Sequence, residues 1–254
     1  MSDTELKLLK APIIEAVLDI DCDLPPAFDL AGLETLSRDR FRDSYPKLRK
    51  QFMQEHKIDN KPDVPSQISV RHEIRAFQFL LKDEKQLVQV RTQGFSFNRL
   101  APYTSLDDYL HEIERTWKLY VSMVAPVQIR TIRLRYINRI LLPMHGGTLD
   151  IDDYLRIGPR LPDEERLQFI GFFNQNAAVE LDTGNQVSIV LTTQPQQEDK
   201  MLPLIFDITV ESKKTGEVEN WSWISGQIQA LRVLKNRVFK NTLTEKCLNL
   251  FQQP

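Results

Sequence analysis

From Val127 to Pro143, VQIRTIRLRYINRILLP, apolar and polar side chains alternate, and the alternation carries four arginines into a stretch that reads as interior strand. Successive strand side chains point to opposite faces. Ile132, Leu134, Tyr136 and Ile140 therefore share one face, and Arg133, Arg135, Ile137 and Arg139 the other. The first face reads as core. The second is rich in guanidinium, which stays charged and needs carboxylates, a bound anion or water.

The same reading taken along the chain predicts a first strand at Ala11 to Asp21, with Ile14, Ala16, Leu18 and Ile20 on one face and Glu15 and Asp19 on the other. Pro25 and Pro26 end it. Leu30, Leu33, Leu36, Phe41 and Tyr45 then recur at helical spacing from Asp29, with Pro46 closing the helix. Met53 to Ser66 is polar with two prolines and reads as an exposed loop. Gln67 to Leu81 and Leu87 to Thr92 read as a hairpin turning at Asp83 to Lys85. Gly94 would then sit in a bulge before Phe95 and Phe97. Thr104 or Ser105 can cap a helix with Asp107 and Asp108 in its first turn and an apolar stripe of Leu106, Tyr109, Ile113, Trp117, Tyr120 and Val124.

This gives a split β-α-β-β-α-β pattern, which places both helices on one face of an antiparallel sheet. Beyond a turn-rich stretch, Met144 to Pro162, three strands are expected at Leu167 to Glu180, Gln186 to Thr193 and Leu202 to Glu211, the first buried on both faces. Trp223, Ile224, Ile228, Leu231, Leu234 and Val238 form a long amphipathic helix starting at Asn220, and Thr242 with Glu245 matches a capping box for a final short helix. The fold expected is α+β. It comprises a mostly antiparallel sheet of about seven strands, with the split β-α-β-β-α-β part followed by a β-meander and a long C-terminal helix. Residues 1–254 read as one domain, with 1–143 and 144–254 as the alternative subdivision.

Composition narrows the function classes. A net charge of -2 argues against a protein that coats nucleic acid through charge alone. Cys22 and Cys247 fit no metal-ligand spacing and read as reduced thiols, with a single disulfide as the alternative. The polar start MSDTELKLLK has no apolar signal region, and no stretch approaches the roughly 18 uninterrupted apolar residues of a membrane span, so no membrane is expected as a partner. No glycine-rich phosphate loop occurs. His56, His72, His111 and His145 are dispersed without HExxH, and Ser96 in GFSFN lacks the second glycine of a nucleophile elbow. Asp150 to Asp153 lacks a calcium-loop pattern and reads as a helix start. No catalytic residue, metal or cofactor is therefore expected.

Three stretches, KAPIIEAVLDI at Lys10 to Ile20, GFSFNRLAPY at Gly94 to Tyr103 and RLRYINRILLP at Arg133 to Pro143, resemble a sporadically distributed, functionally uncharacterised family of bacterial proteins. The resemblance implies a bacterial cytoplasmic protein from an accessory gene and carries no catalytic residues, cofactor or partner.

The chemistry left to weigh is the charged strand face. Arg133, Arg135, Arg139 and Arg91, with Glu15, Tyr136 and Asn138, are the candidate ligand-binding residues. One reading is a salt-bridge network with Glu15, Asp19 and Glu73; another is an anion pocket in which the arginines fork onto phosphate or carboxylate oxygens. The function expected is a non-enzymatic binding or regulatory module for an anionic small molecule or a protein partner. A metal-dependent phosphate-ester or polyphosphate hydrolase is the alternative, if the sheet curls into a barrel. A single-stranded nucleic-acid binder is the third, from Phe95, Phe97, Tyr103 and Tyr136 lying near Arg91, Arg99, Arg135 and Arg139. A homodimer is compatible with the sequence but marked by no motif.

Overall fold

Hydrophobic alternation and helical stripes assemble into one antiparallel sheet with its helices packed on a single face. The computed structural model describes residues 8–59, 67–144, 149–160, 162, 167, 170–195 and 201–252, the side chains of 54–59 and 67–72 excepted. Among the described residues there are nine strands: β1 (Ile13–Asp23), β2 (Lys47–Asp59), β3 (Gln67–Leu80), β4 (Gln86–Arg91), β5 (Gly94–Leu100), β6 (Gln128–Pro143), β7 (Phe173–Val179), β8 (Gln186–Thr193) and β9 (Met201–Ser212). They lie in the order β2-β3-β4-β5-β1-β6-β9-β8-β7, all neighbours antiparallel. The helices are α1 (Glu34–Phe41), α2 (Leu106–Val124), α3 (Trp221–Thr242) and α4 (Glu245–Asn249).

The α+β class, the antiparallel sheet, the meander of β7, β8 and β9 and the 22-residue helix α3 agree with the pattern read from the sequence. The strand count does not, since the sheet has nine strands rather than seven. The first extra strand is β2, which takes up residues 53–59 of the stretch expected as a loop; residues 60–66 lie outside the described ones. An edge strand has one side toward solvent and little to bury, so KLRKQFMQEHKID shows no apolar alternation. The second is β5, separated from β4 by only Thr92 and Gln93, so the expected bulge is a tight turn. Gly94 opens β5 with φ +148°, and a Cβ there would lie 2.1 Å from the Ile20 carbonyl oxygen. Only glycine lets β5 approach β1 that closely.

Smaller corrections have local causes. A register shift between Ile13 and Glu15 turns Ile14 outward, to 38% exposed, instead of into the core. The helix expected from Asp29 to Tyr45 is a 3-10 turn, Ala31–Leu33, followed by the short α1, with Leu36 exposed and Tyr45 buried beyond its end. The strand expected from Leu167 starts only at Phe173, and it lies at the sheet edge with Phe173 exposed rather than buried on both faces. Thr244, not Thr242, caps α4 by accepting from the Cys247 amide at 3.2 Å. Thr242 is the buried last residue of α3.

The core lies between the sheet and the helices. Leu18 and Ile20 of β1, Phe95 and Phe97 of β5, and Ile132, Leu134 and Tyr136 of β6 face Ile113, Trp117 and Tyr120 of α2 and Ile224, Ile228 and Leu231 of α3. Ser105 caps α2 through the Asp107 amide, and the Trp117 indole donates to the Val218 carbonyl at 2.9 Å, tying α2 to the approach to α3. Cys22 and Cys247 are free, buried thiols, pushed up to about 12 chiefly by burial.

Candidate functional site: a charged sheet face and a lysine cavity behind it

Strand alternation divides the sequence-derived candidates between two faces. Arg133, Arg135 and Arg139 of β6, Arg91 of β4 and Glu15 of β1 lie on the face away from the helices; Tyr136 and Asn138 are buried on the helix side, 2% and 1% exposed. The seven therefore make no common site.

On the outer face Arg91, Arg133 and Arg135 end on carboxylates. Register places Asp19 opposite Arg133, and Arg133 opposite Glu211. Arg133 Nε donates to Glu211 Oε2 at 3.0 Å, with Asp19 and Asp21 carboxylates at 3.6 and 3.7 Å. Burial works against its charge, but the bond to Glu211 and the charges of Asp21 and Asp19 outweigh it and raise its pKa. Arg135 forks onto Asp207 through Nε at 2.9 Å and a terminal nitrogen at 2.6 Å; that hydrogen bonding raises its pKa too. Arg91 donates to Asp21 at 2.6 Å and to the Phe95 carbonyl at 2.9 Å. Arg139 donates to the Gln194 side-chain oxygen at 3.2 Å.

Glu15 closes an amide ladder across four strands. Gln78 donates to Gln89 at 3.1 Å, Gln89 to Asn98 at 2.9 Å and Asn98 to Glu15 at 2.8 Å. Ser96, 1% exposed, donates to Asp19, which makes it a structural strand serine. The face is a cross-strand polar network whose charges are largely matched.

Three other expectations have a definite place. Among the described residues the sheet ends at edges β2 and β7, and its strands do not close into a barrel around the arginines. Among the described residues no three His, Cys, Asp or Glu side chains form a metal-ligand set. Phe95, Phe97 and Tyr136 are buried, which leaves no open stacking platform on them. His111 is exposed on α2; the side chains of His56 and His72, and all of His145, lie outside the described residues. Among the described residues no helix is long and apolar enough to cross a membrane.

On the helix side, the chain leading into β1, the segment before α2, the middle of β6 and the second half of α3 enclose a cavity of about 520 Å³. That size suits a small ligand. Leu8, Pro12, Ile13, Leu106 and Phe239 give it apolar walls. Tyr103, Asp108, Tyr136, Asn138, Arg232 and Lys235 are among the polar groups that line it.

Lys235 lies on the α3 stripe, four residues after buried Leu231 and four before buried Phe239, so the helix carries its side chain inward. Its Nζ sits 4.0 Å from the centre of the Tyr136 ring. Tyr136 is fixed there by a 3.1 Å hydroxyl–hydroxyl bond and an edge-on ring contact with Tyr103. Among the described residues no carboxylate or hydrogen-bond acceptor meets the ammonium. Burial, and secondarily the charge of Arg232, lower its pKa from 10.5 to about 7. Arg232, one turn earlier, is held by both oxygens of Asp107 at 2.8 Å. Asn138 spends its amide donor on the Tyr136 and Phe206 carbonyls, at 3.3 and 2.9 Å, stiffening the cavity floor.

Lys235 and Arg232 escaped the sequence reading, although the signal was present. A lysine falls within the apolar stripe of α3, where an outward charge would be expected. The three motif stretches fall largely on β1, β5 and β6, neighbours at the centre of the sheet, and Ala11 to Ile13, Tyr103, Tyr136 and Asn138 from them line the cavity. Comparison of the chain with family models, curated proteins and solved structures finds no match.

Proposed function

We propose that the protein is a binding module for a small anionic molecule, and that the ligand enters the Lys235 cavity rather than docking on the arginine-bearing face. One observation carries this reading: Lys235 presents a half-buried ammonium to the cavity over the Tyr136 ring, and among the described residues it forms no ion pair, although Asp108 also lines the cavity. A buried charge is costly unless it is matched, and an incoming carboxylate or phosphate would match it. Arg91, Arg133 and Arg135 of the outer face already have that match in Asp21, Glu211 and Asp207. The apolar walls favour a ligand with a hydrocarbon or aromatic body behind its anionic group.

The test is thermal stabilisation by benzoate, 4-methylpentanoate and inorganic phosphate, without turnover. Wild type and Arg139→Met should respond alike, and Lys235→Met should lose the response. Loss in Arg139→Met with retention in Lys235→Met would move the site to the outer face.

A further inference from the structure

Resting on the cavity-binding reading, we infer that Lys235 captures α-oxo acids with apolar side chains as a covalent imine. Two cationic side chains three residues apart on α3, Arg232 and Lys235, lie on one helix face and line one cavity. A carboxylate with a carbonyl on the adjacent carbon fits that pair. Arg232 keeps one terminal nitrogen on Asp107 and adds its guanidinium to the cavity wall beside the acid group, while the carbonyl carbon comes to the Lys235 nitrogen.

The amine is suited to the attack. No hydrogen-bond acceptor among the described residues engages Nζ. Burial beside a second cation favours its neutral, nucleophilic form. The Tyr136 ring beneath Nζ, held by Tyr103, fixes the direction of the side chain. The walls of Leu8, Pro12, Ile13, Leu106 and Phe239 receive the side chain of the oxo acid.

The step balances without a further reactant. The nitrogen lone pair forms a C–N bond to the carbonyl carbon, and the carbonyl oxygen takes a proton from nitrogen to give a carbinolamine. Loss of that hydroxyl with the second nitrogen proton, as water, leaves the C=N bond. Hydrolysis reverses it.

The test is borohydride reduction of the full chain with 4-methyl-2-oxopentanoate or phenylpyruvate, followed by peptide mass mapping, in wild type and Lys235→Arg. A reduced adduct on Lys235 in wild type, absent from Lys235→Arg, is expected. Thermal stabilisation by the same acids is read in parallel. Stabilisation of wild type with no adduct on Lys235 would overturn the imine and leave cavity binding standing. Neither stabilisation nor adduct would overturn both. Equal labelling of surface lysines in both proteins, with none at Lys235, would also overturn the imine.

Discussion

The ammonium of Lys235 lies 4.0 Å from the centre of the Tyr136 ring, so the strand carrying the arginines on one face supports on the other a cation that forms no ion pair among the described residues. Tyr136 is the hinge between the two halves of the molecule's chemistry. Its neighbours Arg135 and Ile137 face the polar network, while its own ring forms the cavity floor.

The first consequence is a pH dependence of stability. Lys235 titrates near 7 in the folded chain and at 10.5 in the ordinary state. The titratable groups that share its cavity are Arg232 of α3, Tyr136 of β6, and Tyr103 and Asp108 around the start of α2, with Asp107 behind Arg232. Below about 7 both states carry the charge and the folded chain bears the full desolvation cost. From there to 10.5 the unfolded chain binds more protons, so this contribution to stability rises with pH. Denaturant unfolding of wild type and Lys235→Met should show the wild type losing ground to the variant as pH falls from about 9 to about 6. A pH-independent difference would contradict it.

Ligand binding should carry the opposite proton. An anion beside Lys235 favours the ammonium, so phosphate or benzoate binding at about pH 8 should take up part of one proton. Calorimetry in two buffers of different ionisation enthalpy reads that uptake. It should vanish in Lys235→Met, and binding without proton uptake in wild type would oppose the assignment.

Arg133 should act on stability and leave the cavity alone. Arg133→Met strips the guanidinium from Glu211, Asp19 and Asp21, which are partly buried. The expected loss is about 1–3 kcal/mol in chemical denaturation, with unchanged response to benzoate. A variant that keeps its stability but loses ligand response would make the arginine face the site.

Gly94 gives a test of the sheet itself. Gly94→Ala would place its Cβ against the Ile20 carbonyl at a φ of +148°, and should cost about 2–4 kcal/mol in unfolding free energy. A neutral result would mean that β5 and β1 are not so closely apposed.

Alternation exposed what is buried against something. It placed β1, β6 and the stripes of α2 and α3, because those elements turn one face to the core. It could not find β2, an edge strand with little to bury, and it read β4 and β5 as one strand because a two-residue turn leaves no polar gap. The arginines of β6 were conspicuous by number, yet their partners Asp207 and Glu211 come from β9, more than sixty residues on, and register alone brings them together. Tyr136 and Asn138 stand close to those arginines in sequence, and the two-residue period of a strand sets them on the opposite face. Lys235 was visible only as a charge inside an apolar stripe.

The most direct measurement is nuclear magnetic resonance mapping of the binding of 4-methylpentanoate or phosphate on isotopically labelled protein. Binding in the cavity predicts that shifts cluster at Tyr103, Leu106, Tyr136, Arg232 and Lys235, with Arg91, Arg133 and Arg139 unmoved. Shifts confined to the arginines of the outer face, with Lys235 and Tyr103 unchanged, would contradict it.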